Sequence, residues 1–270
     1  MGKKRRLLLA AIVVAALVIL AWFILSSNQS PEPVYQGKPL TVWLKEGSGS
    51  FGQDITSGEQ QKAAEVVGYI GTNAIPTLLH MLRVKNSPLK TKLILILNNQ
   101  KLIRIHLISD NDLEFEALYG FRILGTNGVS AVPELVRVFE KNISLDSQRY
   151  TIASLGAIGP PAKVAIPSVL QVTTNTNYDW RVRYAAVGSV FEMRADPQIA
   201  MPAMAVCLTD TNPNIRGWAC NVMGEFGTNA EPYVPALISL LKDPNNLLRE
   251  RAGIALKKID PGAAAKAGVK

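Results

Sequence analysis

Apolar residues recur along the second half of this chain at fixed offsets from a series of prolines. Counting from Pro76, Pro133, Pro202 and Pro235, the residues at offsets 2, 3 and 6 are Leu78/Leu79/Leu82, Leu135/Val136/Phe139, Met204/Ala205/Leu208 and Leu237/Ile238/Leu241. That spacing is one stripe of a 3.6-residue helix, so each proline opens a helix with one buried face. Pro167 heads a fifth such segment, and the intervals between the five prolines are 57, 34, 35 and 33 residues. Three of the four intervals match one repeating unit. The first holds an insertion, placed at 87–109.

A second helix precedes each proline-led one. Val182-Arg183…Ala186, Ile215-Arg216…Ala219 and Leu248-Arg249…Ala252 put an apolar-Arg pair and a small residue at the same place every 33 residues. A glycine follows in four units, Gly71, Gly125, Gly159 and Gly227, whereas the fourth unit has Arg194 there. Glycine supplies the left-handed residue that ends a helix, and proline suits a first turn whose N–H has no partner. In the second unit Leu113-Glu114 replaces the apolar-Arg pair, and Glu114 and Glu116 read as a solvated first turn. Ala255 to Pro261 opens a sixth, truncated unit. One helix pair cannot bury its stripe alone, so the pattern predicts an all-α solenoid of stacked pairs over 57–270.

The unit resembles the HEAT repeat, in the short bacterial form known as the phycobilisome-lyase HEAT-like repeat. The stretch Ile215-Arg216-Gly217-Trp218-Ala219-Cys220-Asn221-Val222-Met223-Gly224-Glu225-Phe226-Gly227, closing at Leu240-Leu241-Lys242-Asp243, carries the likeness best. The resemblance covers about 57–262. It implies a helical array and says little about function, because such arrays serve many roles.

The N-terminal part reads differently. Gly2-Lys3-Lys4-Arg5-Arg6 is followed by 19 apolar residues from Leu7 to Leu25. A helix of that length covers roughly the 30 Å hydrocarbon layer. The expectation is a cytoplasmic basic segment (1–6), a signal anchor (7–25), and a repeat domain outside the cytoplasm, periplasmic in a Gram-negative cell. A cleaved signal peptide has a shorter apolar stretch. Residues 26–56 read as a linker and one lead-in helix around Thr41-Val42-Trp43-Leu44, in a layout similar to bacterial single-pass HEAT proteins with a Gln36-Gly37-Lys38-Pro39-Leu40 lead-in.

Charge narrows the chemistry. Without Lys3, Lys4, Arg5 and Arg6 the chain holds 25 Lys+Arg against 21 Asp+Glu, a balance of +4. That is too dispersed to predict nucleic-acid binding. His80 and His106 stand in no metal-ligand pattern, and no nucleophile elbow is present. The Gly47-to-Gly52 loop lacks the Lys-Ser/Thr of a phosphate loop. No catalytic, cofactor or metal residue is assigned. Cys207 and Cys220 allow one disulfide, with core packing the default.

In HEAT-like arrays the equivalent of the recurring Arg183, Arg216 and Arg249 bonds to acids between repeats, so the resemblance implies a structural ladder with Asp210 and Asp243, which lie just before Arg216 and Arg249, rather than an anion site. Offsets 4 and 7 of the second helices face away from the stripe: His80, Arg83, Arg137, Glu140, Gln171, Thr174, Ser239 and Lys242. Their mixed charge suits a protein or peptide on the array's concave face better than a polyanion. The expected function is a non-catalytic, membrane-anchored interaction scaffold. Alternatives are a lyase-like or enzyme-accessory relative and a DNA-binding array.

Overall fold

A computed structural model describes residues 32–49, 57–84 and 110–269. The proposed anchor 7–25, the insertion 87–109 and His106 lie outside them.

The polypeptide enters through a two-residue hairpin, β1 (Val34–Tyr35) and β2 (Lys38–Pro39), and continues directly into α1 (Leu40–Ser48). Then come α2 (Ser57–Ile70), α3 (Ile75–Leu82), α4 (Asp110–Leu124), α5 (Val132–Glu140), α6 (Leu145–Ile158) and α7 (Ile166–Thr174). The series closes with α8 (Trp180–Glu192), α9 (Pro197–Cys207), α10 (Pro213–Phe226), α11 (Val234–Leu240), α12 (Asn246–Ile259) and α13 (Pro261–Lys266). First helices (α2, α4, α6, α8, α10, α12) pack each on the next in one row. Shorter second helices form the other row, and a single continuous apolar core runs between them.

Local chemistry explains the punctuation. Side chains of Ser144, Asp179, Asn212 and Asn245 accept the first free N–H groups of α6, α8, α10 and α12, satisfying donors that have no intrahelical partner. Gly71, Gly125, Gly159 and Gly227 take positive φ at the first-helix ends. Between glycine and proline the chain winds as 3₁₀ helix, Gly71–Ala74, Gly125–Ala131, Pro160–Ala165 and Gly227–Tyr233. Pro76, Pro133, Pro167 and Pro235 then sit in the first turn of their helices, as expected.

The fourth unit departs from this plan. Its second helix starts at Pro197, capped by Asp196, and Pro202 lies inside it. The Asp-Pro pair starts the helix early, so Pro202 does not initiate α9 as the spacing predicts. Arg194 fills the glycine position at φ 52, a conformation that costs a side-chain-bearing residue about 1–2 kcal/mol. Arg194→Gly is therefore expected to stabilise the chain by about 1 kcal/mol, read as a raised urea midpoint at unchanged slope.

One expectation about the first half is corrected. Glu114 and Glu116 are fully buried rather than solvated, because α4 is enclosed by α1, α2 and α3 on one side and α6 on the other. The lead-in helix is part of the array: Leu40 and Leu44 are fully buried on α2 and α4. A Cβ added at Gly47 would stand 2.3 Å from the Ala63 methyl, so α1 and α2 cross at close range.

The single-pass membrane localisation is also corrected. No helix among the described residues is long and apolar enough to cross a membrane. The α4 helix has 15 residues, against the roughly 20 a span requires.

Candidate protein-binding surfaces and the arginine ladder

Arg183 and Arg216 are held inside the array, and each rung reads both ways along the repeat. Arg183 of α8 donates to the Asp210 carboxylate at the end of the same unit's second helix, through Nη1 and, at 3.4 Å, through Nη2. Asp210 Oδ1 also accepts the Asn212 N–H at 2.8 Å, and the Asp210 carbonyl accepts Arg216 Nη1 at 2.9 Å. Arg216 repeats the arrangement one unit later, with Nη2 at 3.0 Å from Asp243 Oδ2. Asp243 in turn accepts the Asn245 N–H at 2.8 Å, and its carbonyl accepts Arg249 Nη1 at 2.6 Å. Each aspartate thus fixes its own unit through its carboxylate and the next through its carbonyl. Each carboxylate belongs to the arginine of the preceding first helix: Asp210 pairs with Arg183, and Asp243 with Arg216.

Residues 200–267 match the protein family described as HEAT repeats. The match spans α9 to α13, the stretch that contains the Arg216–Asp243 rung. No curated protein matches the chain significantly. Before residue 200 the helix pairs follow the same plan, with Gly71, Gly125 and Gly159 ending first helices and Pro76, Pro133 and Pro167 in the first turns of second ones, and the Arg183–Asp210 rung joins α8 to the matched segment.

Arg137, Glu140, Gln171, Thr174, Ser239 and Lys242 are exposed, and His80 and Arg83 are partly covered. Arg83 is engaged: it pairs with Glu134 of the next unit, and Arg137 Nη1 reaches the other oxygen of that carboxylate at 3.0 Å. The hydrogen bond from Arg137 and the charge of Arg83 hold the Glu134 carboxyl below its usual range. Arg83 therefore joins two repeats, whereas Glu140, Gln171, Thr174 and Lys242 make no side-chain bond among the described residues.

A second feature lies on the first-helix side and was not foreseen. Tyr184 stacks on Trp218 with centroids 5.4 Å apart, and Phe191 meets Phe226 edge-on at 6.0 Å. Phe191, Trp218, Asn221, Glu225, Ile254 and Lys258 border an open groove of about 380 Å³ across α8, α10 and α12. Gly224 lines it, where a Cβ would stand 3.1 Å from the Ala255 Cα. The sequence signal for it is the seven-residue step from Tyr184 to Phe191 on one helix face.

Both cysteines are free and buried, Cys207 at the end of α9 and Cys220 within α10. Burial pushes the Cys207 thiol up to about 11 and the Cys220 thiol to about 12. Neither is a nucleophile at neutral pH, because the thiolate is the reactive form. Iodoacetamide at pH 8 is expected to label neither in the folded chain and both in urea, read by mass spectrometry. The folded chain keeps these protons above the ordinary value of 9.0. Stability consequently falls as pH rises from about 9 towards 12. Among the described residues no group of three or more His, Cys, Asp or Glu side chains could hold a metal ion.

Proposed function

We propose that this protein is a non-catalytic scaffold that binds a protein or peptide partner along its row of second helices. HEAT repeats generally serve as protein-interaction scaffolds, and residues 200–267 match them. The observation that carries the reading is the exposed row itself. The second helices α5, α7 and α11 present Arg137/Glu140, Gln171/Thr174 and Ser239/Lys242 at constant offsets from their prolines, while the arginine ladder and core hold the array without them. Mixed charge at regular spacing suits an extended polypeptide partner, whose specificity comes from complementary charges.

The test is a cross-linking capture with Arg137, Glu140 and Lys242 reversed together and Arg83 left in place to keep its bridge to Glu134. The species captured by the wild-type chain is expected to be lost in this variant and kept when Glu225 and Lys258 are reversed instead. Capture that survives the row variant but disappears in Trp218→Ala would show that the row is not the binding surface.

A further inference from the structure

The array carries an exposed apolar strip that its own packing does not require. Three residues before the second-helix proline, the third, fourth and fifth units present Val164, Ile199 and Pro232 to solvent, and the prolines themselves, Pro167, Pro202 and Pro235, are exposed beside them. Val164 is 74% and Ile199 51% exposed. Ala165 and Ala200, one residue further on, are buried, so the winding of the backbone turns the strip away from the core. The first two units place Asn73 and Ser130 at the same point, also exposed. An apolar residue is therefore not needed there for folding. Single exposed apolar side chains are ordinary, but a strip that recurs in register through consecutive units marks an interaction surface.

Charge frames the strip. One residue earlier in the same three units stand Lys163, Gln198 and Glu231, all exposed. The row thus runs from a cation through a neutral amide to an anion. Neither Lys163 nor Glu231 makes a side-chain bond among the described residues. Packed helices lie about 8–10 Å apart, which sets the two charges roughly 16–20 Å apart with the apolar residues between them. Turned end for end, the strip keeps its apolar middle and reverses its order of charge. A two-fold axis through Ile199 and Pro202 requires that pattern, because residue i then meets residue j and j meets i.

We propose that this strip is a homodimer interface, on which a second copy of the chain packs in the antiparallel sense. Ile199 and Pro202 meet their own counterparts on the axis, and Val164 meets the partner's Pro232. Lys163 pairs with the partner's Glu231, and Glu231 with the partner's Lys163. Burial of the apolar centre drives association, and the two terminal pairs fix its register. A second copy is the occupant because the chain itself supplies the matching helix spacing, the matching apolar residues and the complementary charges, each in reversed order. The interface lies around Pro167, Pro202 and Pro235, whereas the binding row lies four and seven residues beyond the second-helix prolines, so either can fail without the other.

The test is site-specific cross-linking of the full chain. Ile199→Cys places a thiol on the proposed axis, and the burial of Cys207 and Cys220 leaves it the reactive one. A short bismaleimide at micromolar protein is expected to join two Ile199→Cys chains into a covalent dimer. It should leave Val129→Cys chains single, because Val129 is exposed but lies one unit outside the strip. Adding Lys163→Glu or Glu231→Lys to Ile199→Cys should each lower the yield about tenfold, since both end pairs then repel. Mixing the two charge variants, one with a size tag, should restore it as a heterodimer, because each end again brings opposite charges together. Restoration in the mixture also shows that both variants fold. Cross-linking no greater at Ile199→Cys than at Val129→Cys would overturn the proposal, as would a yield that ignores both charge reversals or that the mixture does not restore. Single chains throughout, with partner capture lost in Ile199→Asp, would give the strip to a different protein and equally overturn the homodimer.

Discussion

Asp210→Ala is expected to destabilise the chain by about 3–5 kcal/mol, the cost of leaving a buried charge without its partner. The Arg183 and Asp210 side chains are only 6% and 9% exposed, so water does little to replace the lost carboxylate. The same substitution removes the acceptor for the Asn212 N–H, in the turn that leads into α10. Asp210→Asn should cost less, because an amide oxygen still accepts there. Replacing both partners with apolar residues, Arg183→Met with Asp210→Leu, should cost less again, since no charge then remains buried. Urea denaturation followed by circular dichroism separates the three. If Asp210→Ala and the apolar pair shift the midpoint equally, the rung contributes packing alone. Asp243→Ala should follow the same order with a smaller effect, because Arg216 and Asp243 are 16% and 11% exposed.

Phe121→Ala is expected to cost about 3–5 kcal/mol by a different mechanism, the loss of a buried ring and the cavity it leaves. Phe121 is fully buried on α4, with its ring edge 3.5 Å from where a Gly128 Cβ would stand. The 3₁₀ turn over Gly125–Ala131 is thus seated directly on the ring, and neighbouring helices cannot close the gap without moving that turn. Phe191→Ala serves as the control. Its ring is 37% exposed at the edge of the groove, and its loss should shift the urea midpoint far less. Equal losses from the two would mean that α4 is not at the centre of the core.

Much of this fold was legible because a repeated helix pair writes its boundaries into side chains. Gly71, Gly125, Gly159 and Gly227 mark where left-handed backbone is needed, and the prolines that follow mark where a missing N–H costs nothing. Arg183, Arg216 and Arg249 announced a ladder, and the row from Arg137 to Lys242 fell on the exposed side of its helices. What escaped depends on neighbours far away in sequence. Glu114 and Glu116 look solvated when α4 is considered alone and become buried only once α1, α2, α3 and α6 surround it. Pro202 follows the spacing rule, but the Asp196 cap starts α9 five residues earlier. Arg83 appeared free on its own helix, and its bridge to Glu134 forms only when the two units stack. The membrane assignment came from residues 7–25 alone, and no helix in the described array supports it. The groove under Phe191 and Trp218 requires three first helices side by side, so no single helix could reveal it.

The central claim is that these helix pairs form one continuous array, stabilised by contacts between neighbouring units. Native-state hydrogen exchange on Asp210→Ala, compared with the wild-type chain, tests it most directly. A stack coupled through nearest neighbours should lose protection in α8, α9 and α10, less in α6 and α12, and not at all in α1 to α3. Uniform loss of protection from α1 to α13 would contradict the account, and so would loss confined to the turn around Asp210.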